Sequence, residues 1–97
     1  MRDWIRVDIQ EAHLELIAAY LFGSSIHGGR RPRDVDFVLV APGKAGDPSW
    51  YRVIAYRDAL KPRIDRVFRL PLSAMVVTLS EWAELDGVVV RERVSIL

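Results

Sequence analysis

Residues 20–40 read Tyr-Leu-Phe-Gly-Ser-Ser-Ile-His-Gly-Gly-Arg-Arg-Pro-Arg-Asp-Val-Asp-Phe-Val-Leu-Val, and this stretch decides the fold. It parses as strand, tight turn, one helical turn, polar loop and strand. An apolar run, residues 16–22, stops at Gly23-Ser24. Its shortness and its aromatic and β-branched members predict a buried strand. Ser24 is placed to cap a helical turn that ends at Gly28-Gly29. A second apolar run, Asp34 to Val40, opens with two aspartates separated by one valine and closes before Pro42-Gly43.

Asp34 and Asp36 are two apart at a strand start, so their side chains share one face, roughly 6–7 Å apart by the two-residue rise. A carboxylate pair beside an apolar core is unfavourable unless paired or metal-bound. Hard oxygen ligands suit Mg²⁺ or Mn²⁺, and Mg²⁺ often takes only one or two protein carboxylates while substrate phosphates complete its shell. Gly23 lets the chain turn tightly and approach a ligand. The amides of Ser24 and Ser25, opening a helical turn, are placed to bind phosphate oxygens. A phosphate cradle and a metal-binding acid pair on adjacent strands describe a nucleotide triphosphate site, whose chemistry is metal-assisted attack at phosphorus. Taken singly, Asp-x-Asp is common as a solvated loop end and Gly-Ser as a turn. The specificity lies in the combination.

Outward from this stretch, Ile5, Ile9, Ala12 and Leu16 recur at three- and four-residue steps and predict an N-terminal helix, or a shorter one capped by Asp8 with Glu11 three residues on. His13 in this segment is expected at the surface. Residues 41–49 are a loop by composition. Residues 49–61 read as a helix, capped by Asp47 or Ser49 with an apolar face of Tyr51, Ile54, Ala55 and Leu60, ending near Pro62. Residues 63–70 fit either a strand or a connecting turn. Residues 72–79 make a third strand, and Ser80 caps a helical turn stopped near Gly87. In 88–97 propensity favours a strand at Val88-Val89-Val90 and allows a helix at Arg91-Glu92-Arg93. This order predicts a small α/β or α+β domain, a mixed sheet flanked by helices, spanning residues 1–97 as one unit.

With 97 residues the chain has room for a single core. Apolar residues are 51% of it, compatible with a partner surface or a well-packed monomer. A net charge of +1 gives no indication of nucleic acid. The absence of cysteine excludes disulfides, thiolate metal sites and a cysteine nucleophile. The apolar runs are too short to span a membrane and the N-terminus lacks a signal-like core, so a soluble cytoplasmic protein is expected. Trp4, Trp50 and Trp82 are too scattered for a single-strand stacking platform. The run Arg57, Lys61, Arg63, Arg66 and Arg69 is expected to be a solvated helix face.

Leu21-Phe22-Gly23-Ser24 followed by Asp34-Val35-Asp36-Phe37-Val38-Leu39-Val40 resembles the signature of the nucleotidyltransferase superfamily typified by DNA polymerase beta, and in size its minimal branch. The stretch 76–82 resembles the family's third core strand and following helix. The resemblance implies the nucleotidyltransferase fold, with Gly23, Ser24 and Ser25 holding ATP and Asp34 and Asp36 holding the catalytic Mg²⁺ or Mn²⁺. It implies transfer of AMP from ATP to a hydroxyl. It further implies a partner, a helical HEPN protein that the chain would counter as an antitoxin, or assembly as a homo-oligomer. The chain departs from the family in three places. The third carboxylate is missing from residues 73–75, with Asp65 the nearest upstream acid. Ser25, Ile26 and His27 stand where many members carry an arginine. Arg33 precedes Asp34 where a small residue is usual, and with Arg30 and Arg31 it forms either a triphosphate contact or a solvated loop. The missing acid leaves open a second reading, a catalytically degenerate member acting by protein contact.

Overall fold

The computed structural model describes residues 1–23, 34–87 and 92–97. In order these form helix α1 (Arg2–Glu11), strands β1 (Ala18–Phe22) and β2 (Val35–Val40), helix α2 (Pro48–Phe68), strand β3 (Leu72–Val77), helix α3 (Leu79–Leu85) and strand β4 (Arg93–Ser95). The four strands make one mixed sheet in the order β3-β2-β1-β4. β1 runs antiparallel to both β2 and β4, while β2 and β3 are parallel and joined through α2. Parallel neighbours need such a long crossover, whereas antiparallel ones do not. The expected α+β architecture is therefore the one observed.

Strand alternation sorts the core into two clusters. Val35, Phe37 and Leu39 of β2, with Ala19 and Leu21 of β1, face Ile5 and Ile9 of α1 and Val53, Leu60 and Ile64 of α2. Val38 and Val40, on the other face, pack with Val77, Tyr20, Phe22, Met75 and Trp82 of α3. β2 is thus buried on both faces, which is why it reads as a nearly continuous apolar run. Trp82 stacks on Tyr20 with ring centroids 5.0 Å apart and planes 16° from parallel. Arg93 lies over both rings, at 5.1 Å and 5.4 Å, and forms an ion pair with Asp86.

Several local expectations change. α1 stops at Glu11, short of Leu16, because residues 12–14 close a Schellman motif. His13 N–H donates to the Gln10 carbonyl and Leu14 N–H to that of Ile9, with His13 in the left-handed region at φ 52°. Asp8 caps nothing; it lies inside α1, 7% exposed. Tyr56 Oη donates to its Oδ2 at 2.7 Å, Arg63 Nη1 donates to the same oxygen at 3.1 Å, and Arg63 Nη2 donates to Oδ1. Burial pushes the Tyr56 hydroxyl up to about 12, so it remains a donor across the neutral range.

α2 does not end near Pro62 but continues to Phe68, with Arg69 as a left-handed C-cap at φ 56°. Pro62 removes one intrahelical N–H donor. Packing on both sides of it outweighs that loss: Leu60 and Ile64 are fully buried, Arg63 reaches Asp8, and Phe68 meets the Trp4 ring edge-on at 5.6 Å. Residues 63–68 are therefore helix, neither strand nor turn. The buried face of α2 is Val53, Leu60 and Ile64, whereas Tyr51 is 59% exposed. Asp47 occupies the N-cap position without bonding the helix, because its Oδ2 accepts from Lys44 N–H at 2.9 Å and Pro48 needs no partner at the first position. Ser49 donates to the Pro42 carbonyl instead of capping. α3 is capped by Thr78, not Ser80, through a reciprocal capping box with Glu81. Arg93 is strand and not helix, paired with Phe22 of β1. Val88 to Val90 and Arg91 lie outside the described residues.

Arg63 is exposed, as expected of the basic run, yet it bonds a buried acid, Asp8. Arg63→Leu should lower unfolding stability by about 2 kcal/mol, since it strips a buried carboxylate of charged hydrogen bonds. Arg66→Leu, on the exposed side, should stay within about 0.5 kcal/mol of wild type. Urea unfolding of both variants distinguishes an anchor from a surface charge.

Candidate functional site

β1 ends and β2 begins at the same end of the sheet, so their register sets the site. Phe22 pairs with Asp36, and Asp36 pairs on its other side with Ser73 of β3. Arg93 of β4 pairs with Phe22 from the far side. Arg93, Phe22, Asp36 and Ser73 thus form one cross-strand row, projecting from the face that carries Tyr20, Val38 and Trp82. Asp34 lies one residue before β2, and the backbone is pinned there by Val35 N–H donating to the Pro71 carbonyl at 2.9 Å.

Asp34 and Asp36 are both half-buried and come within hydrogen-bonding reach of each other. The two expected acids are therefore brought together. Burial raises the Asp36 carboxyl above its ordinary value; the Asp34 charge and a hydrogen bond to Asp34 add to the rise, and a hydrogen bond from Ser73 partly opposes it. Such a pair is held against its own repulsion by the strand geometry, the arrangement a cation would relieve.

Gly23 adopts φ +64°, and a Cβ there would lie 2.7 Å from Asp36 Oδ2. Only glycine satisfies both the left-handed backbone and this contact. The turn after β1 is therefore shaped around the Asp36 carboxyl, a coupling of Gly23 to Asp36 that spans thirteen positions of sequence. Ser24, Ser25, Ile26, His27, Arg30, Arg31 and Arg33 lie outside the described residues. Asp65 is on the exposed side of α2 and does not complete the pair. Among the described residues no three His, Cys, Asp or Glu side chains gather into a metal-binding group.

Two carboxylates with a serine beside Asp36 on the neighbouring strand are hard oxygen donors of the kind that suit a hard cation. Cavities of about 460 Å³ and about 420 Å³ lie against α1 and α2, the first at the α1–β1 turn beside Tyr56 and the second beside Trp4 and Arg63. Both belong to the helix-covered face opposite to Asp36. The three tryptophans are dispersed as expected: Trp4 against Phe68, Trp50 beside Tyr51, Trp82 on Tyr20. Among the described residues no helix is long and apolar enough to cross a membrane. The place of Ser73 beside Asp36 is not legible in the sequence, because the pairing of β3 with β2 is fixed across the whole of α2. No family model, curated protein or solved structure matches the chain.

A folded-state value above the unfolded 3.8 means that the native protein binds the Asp36 proton more tightly, so stability falls as pH rises through the folded value. In chelator, Asp36→Asn should melt higher than wild type at about pH 8, and the gap should close toward about pH 3.5. Gly23→Ala should cost about 1–2 kcal/mol from the left-handed backbone alone, and should displace Asp36.

Proposed function

We propose that this protein is a minimal nucleotidyltransferase that binds Mg²⁺-ATP and transfers AMP to a hydroxyl acceptor. The observation that carries this reading is Gly23 folded against Asp36, which ties the Gly-Ser turn to the acid pair on the neighbouring strand. The mixed sheet, with its parallel β2–β3 pair and flanking helices, is the architecture that the sequence resemblance implies.

Asp34 and Asp36 are the residues that would hold Mg²⁺ or Mn²⁺, which supplies charge neutralisation for the phosphates when bound. Gly23 gives the triphosphate room to approach the sheet end, and the amides after it, Ser24 and Ser25, are assigned by sequence to phosphate oxygens. In the transfer, the acceptor hydroxyl oxygen bonds to the α-phosphorus and the bond from that phosphorus to the bridging oxygen of the β-phosphate breaks. Pyrophosphate leaves, and the hydroxyl proton passes to water. Positioning and charge neutralisation, not covalent participation of the protein, carry such a reaction. The biological setting proposed is a cytoplasmic antitoxin that modifies a helical HEPN partner.

One observation favours a second reading. Among the described residues no third carboxylate joins the pair, and the β3 residue opposite Asp36 is a serine. A catalytically degenerate module that binds nucleotide or partner without turnover has the same surface.

Incubation with α-labelled ATP, Mg²⁺ and the product of the adjacent gene separates the two. Label should appear on the acceptor and vanish with Asp34→Ala. A stable complex without transfer, indifferent to that substitution, selects the binding module. Independently, Mg²⁺-ATP at about 100 times its dissociation constant should stabilise the wild type by about 2.7 kcal/mol, read as a rise in Tm that Asp34→Ala abolishes.

A further inference from the structure

Among the described strands, β3 forms one edge of the sheet and β4 the other. The two edges are built differently. β4 is three residues long and opens with the charged Arg93, and short, charged edges resist pairing with other chains. β3 runs for six residues, Leu72–Val77, with no charge and no proline, and its unbroken register against β2 leaves no bulge to turn it away. The outward side of β3 follows from its ladder. The Pro71 and Val77 carbonyls accept from Val35 and Ala41 N–H, so the odd-numbered residues turn their backbone groups toward β2. Backbone groups alternate in side along a strand, so Leu72, Ala74 and Val76 direct theirs away from the sheet. Among the described residues no hydrogen bond reaches those N–H and C=O groups, and the three side chains are only partly buried against the core beneath α1 and α2.

We propose that β3 pairs antiparallel with β3 of a second copy of this chain, joining two four-stranded sheets into one about a two-fold axis at Ala74. Antiparallel partners exchange both bonds only where outward groups oppose each other. Among two-fold registers, only the one centred on Ala74 uses all three outward residues of both copies. It sets Leu72 opposite Val76 of the second copy, Ala74 opposite Ala74, and Val76 opposite Leu72, with two bonds exchanged in each pair. Leu72 and Val76 then make an apolar cross-strand contact on each side of the axis, and the smallest side chain of the strand lies on the axis itself. Pro71 falls opposite Val77, where no ladder bond is exchanged, so its missing N–H costs nothing. An uncharged strand meets no like charge in its own copy, and a net charge of +1 leaves little repulsion between whole chains. With one such edge per chain, the contact is isologous and closes at two copies. On the other face, the row of Phe22, Asp36 and Ser73 continues to Met75 of the second copy.

Sedimentation of the full chain should show a two-chain species. In amide exchange, Leu72, Ala74 and Val76 should become protected as protein concentration rises through the monomer–dimer transition. Ala74→Pro removes an outward N–H that β2 does not use, a place where an edge strand tolerates proline, and should leave a folded monomer. The register is read by cross-linking, because the chain has no cysteine of its own. Ser73 and Met75 of opposite copies form a non-hydrogen-bonded pair with Cα atoms about 4.5 Å apart, within the reach of a disulfide. Ser73→Cys mixed with Met75→Cys should therefore yield a disulfide-linked dimer on oxidation, and neither variant alone should. A wild type that stays monomeric at millimolar concentration overturns the proposal, as does fast exchange at Leu72, Ala74 and Val76 in a dimer. A dimer whose mixed variants fail to cross-link has formed through another surface, and one that cross-links from a single variant has another register; either result overturns it. A chain that stays monomeric while an extended peptide of another protein protects the same three amides overturns it in favour of a different occupant.

Discussion

Asp36 is the one polar residue in a strand whose other five members are buried, and its neighbours are arranged around keeping a carboxylate there. β2 lies between β1 and β3 and packs on both faces, so it has no solvent side on which to place an acid. The compromise is positional: Asp36 sits near the end of the strand, half-buried, where the sheet opens. A side chain at Gly23 would meet that carboxyl, Ser73 pairs beside it on β3, and Asp34 raises its cost of ionisation. A core strand selected for stability alone would carry an apolar residue at this position. Held among these neighbours, the Asp36 carboxyl is harder to ionise than in water.

The face opposite Asp36 carries a different polar device. Asp8 of α1 is buried, but Tyr56 and Arg63 of α2 satisfy it, and Trp4 receives both the Arg63 guanidinium at 5.4 Å and the edge of Phe68. This cluster ties the N-terminal helix to a long helix that crosses Pro62. The chain thus separates two uses of buried acid. One is fully paired and holds helices together on one face. The other is crowded against a second acid on the opposite face, and that crowding makes it a candidate for chemistry.

Much of the site was legible in sequence because its parts are local. Gly23, Asp34 and Asp36 lie at the ends of two apolar runs, and two-residue alternation alone puts both acids on one face. The α+β class was legible for the same reason, from runs bounded by Gly and Pro. Errors gathered where distant packing overrides local preference. Asp8 resembles a helix cap and Pro62 a helix end until α1 and α2 are laid side by side, and the exposed Arg63 gives no local sign that it reaches a buried acid. Ser80 resembles a cap, but Thr78 with Glu81 makes the reciprocal one.

By itself, the sequence determined which residues carry charge at the end of the central strands and that a glycine precedes them, because strand period and turn chemistry act over a few residues. Only the tertiary structure decided what those acids meet. The parallel register that sets Ser73 beside Asp36, and the contact between Gly23 and the Asp36 carboxyl, depend on how strands separated by a loop or a whole helix are brought into pairing. That pairing is set by the burial of both faces of β2, a property of the assembled sheet and not of any segment.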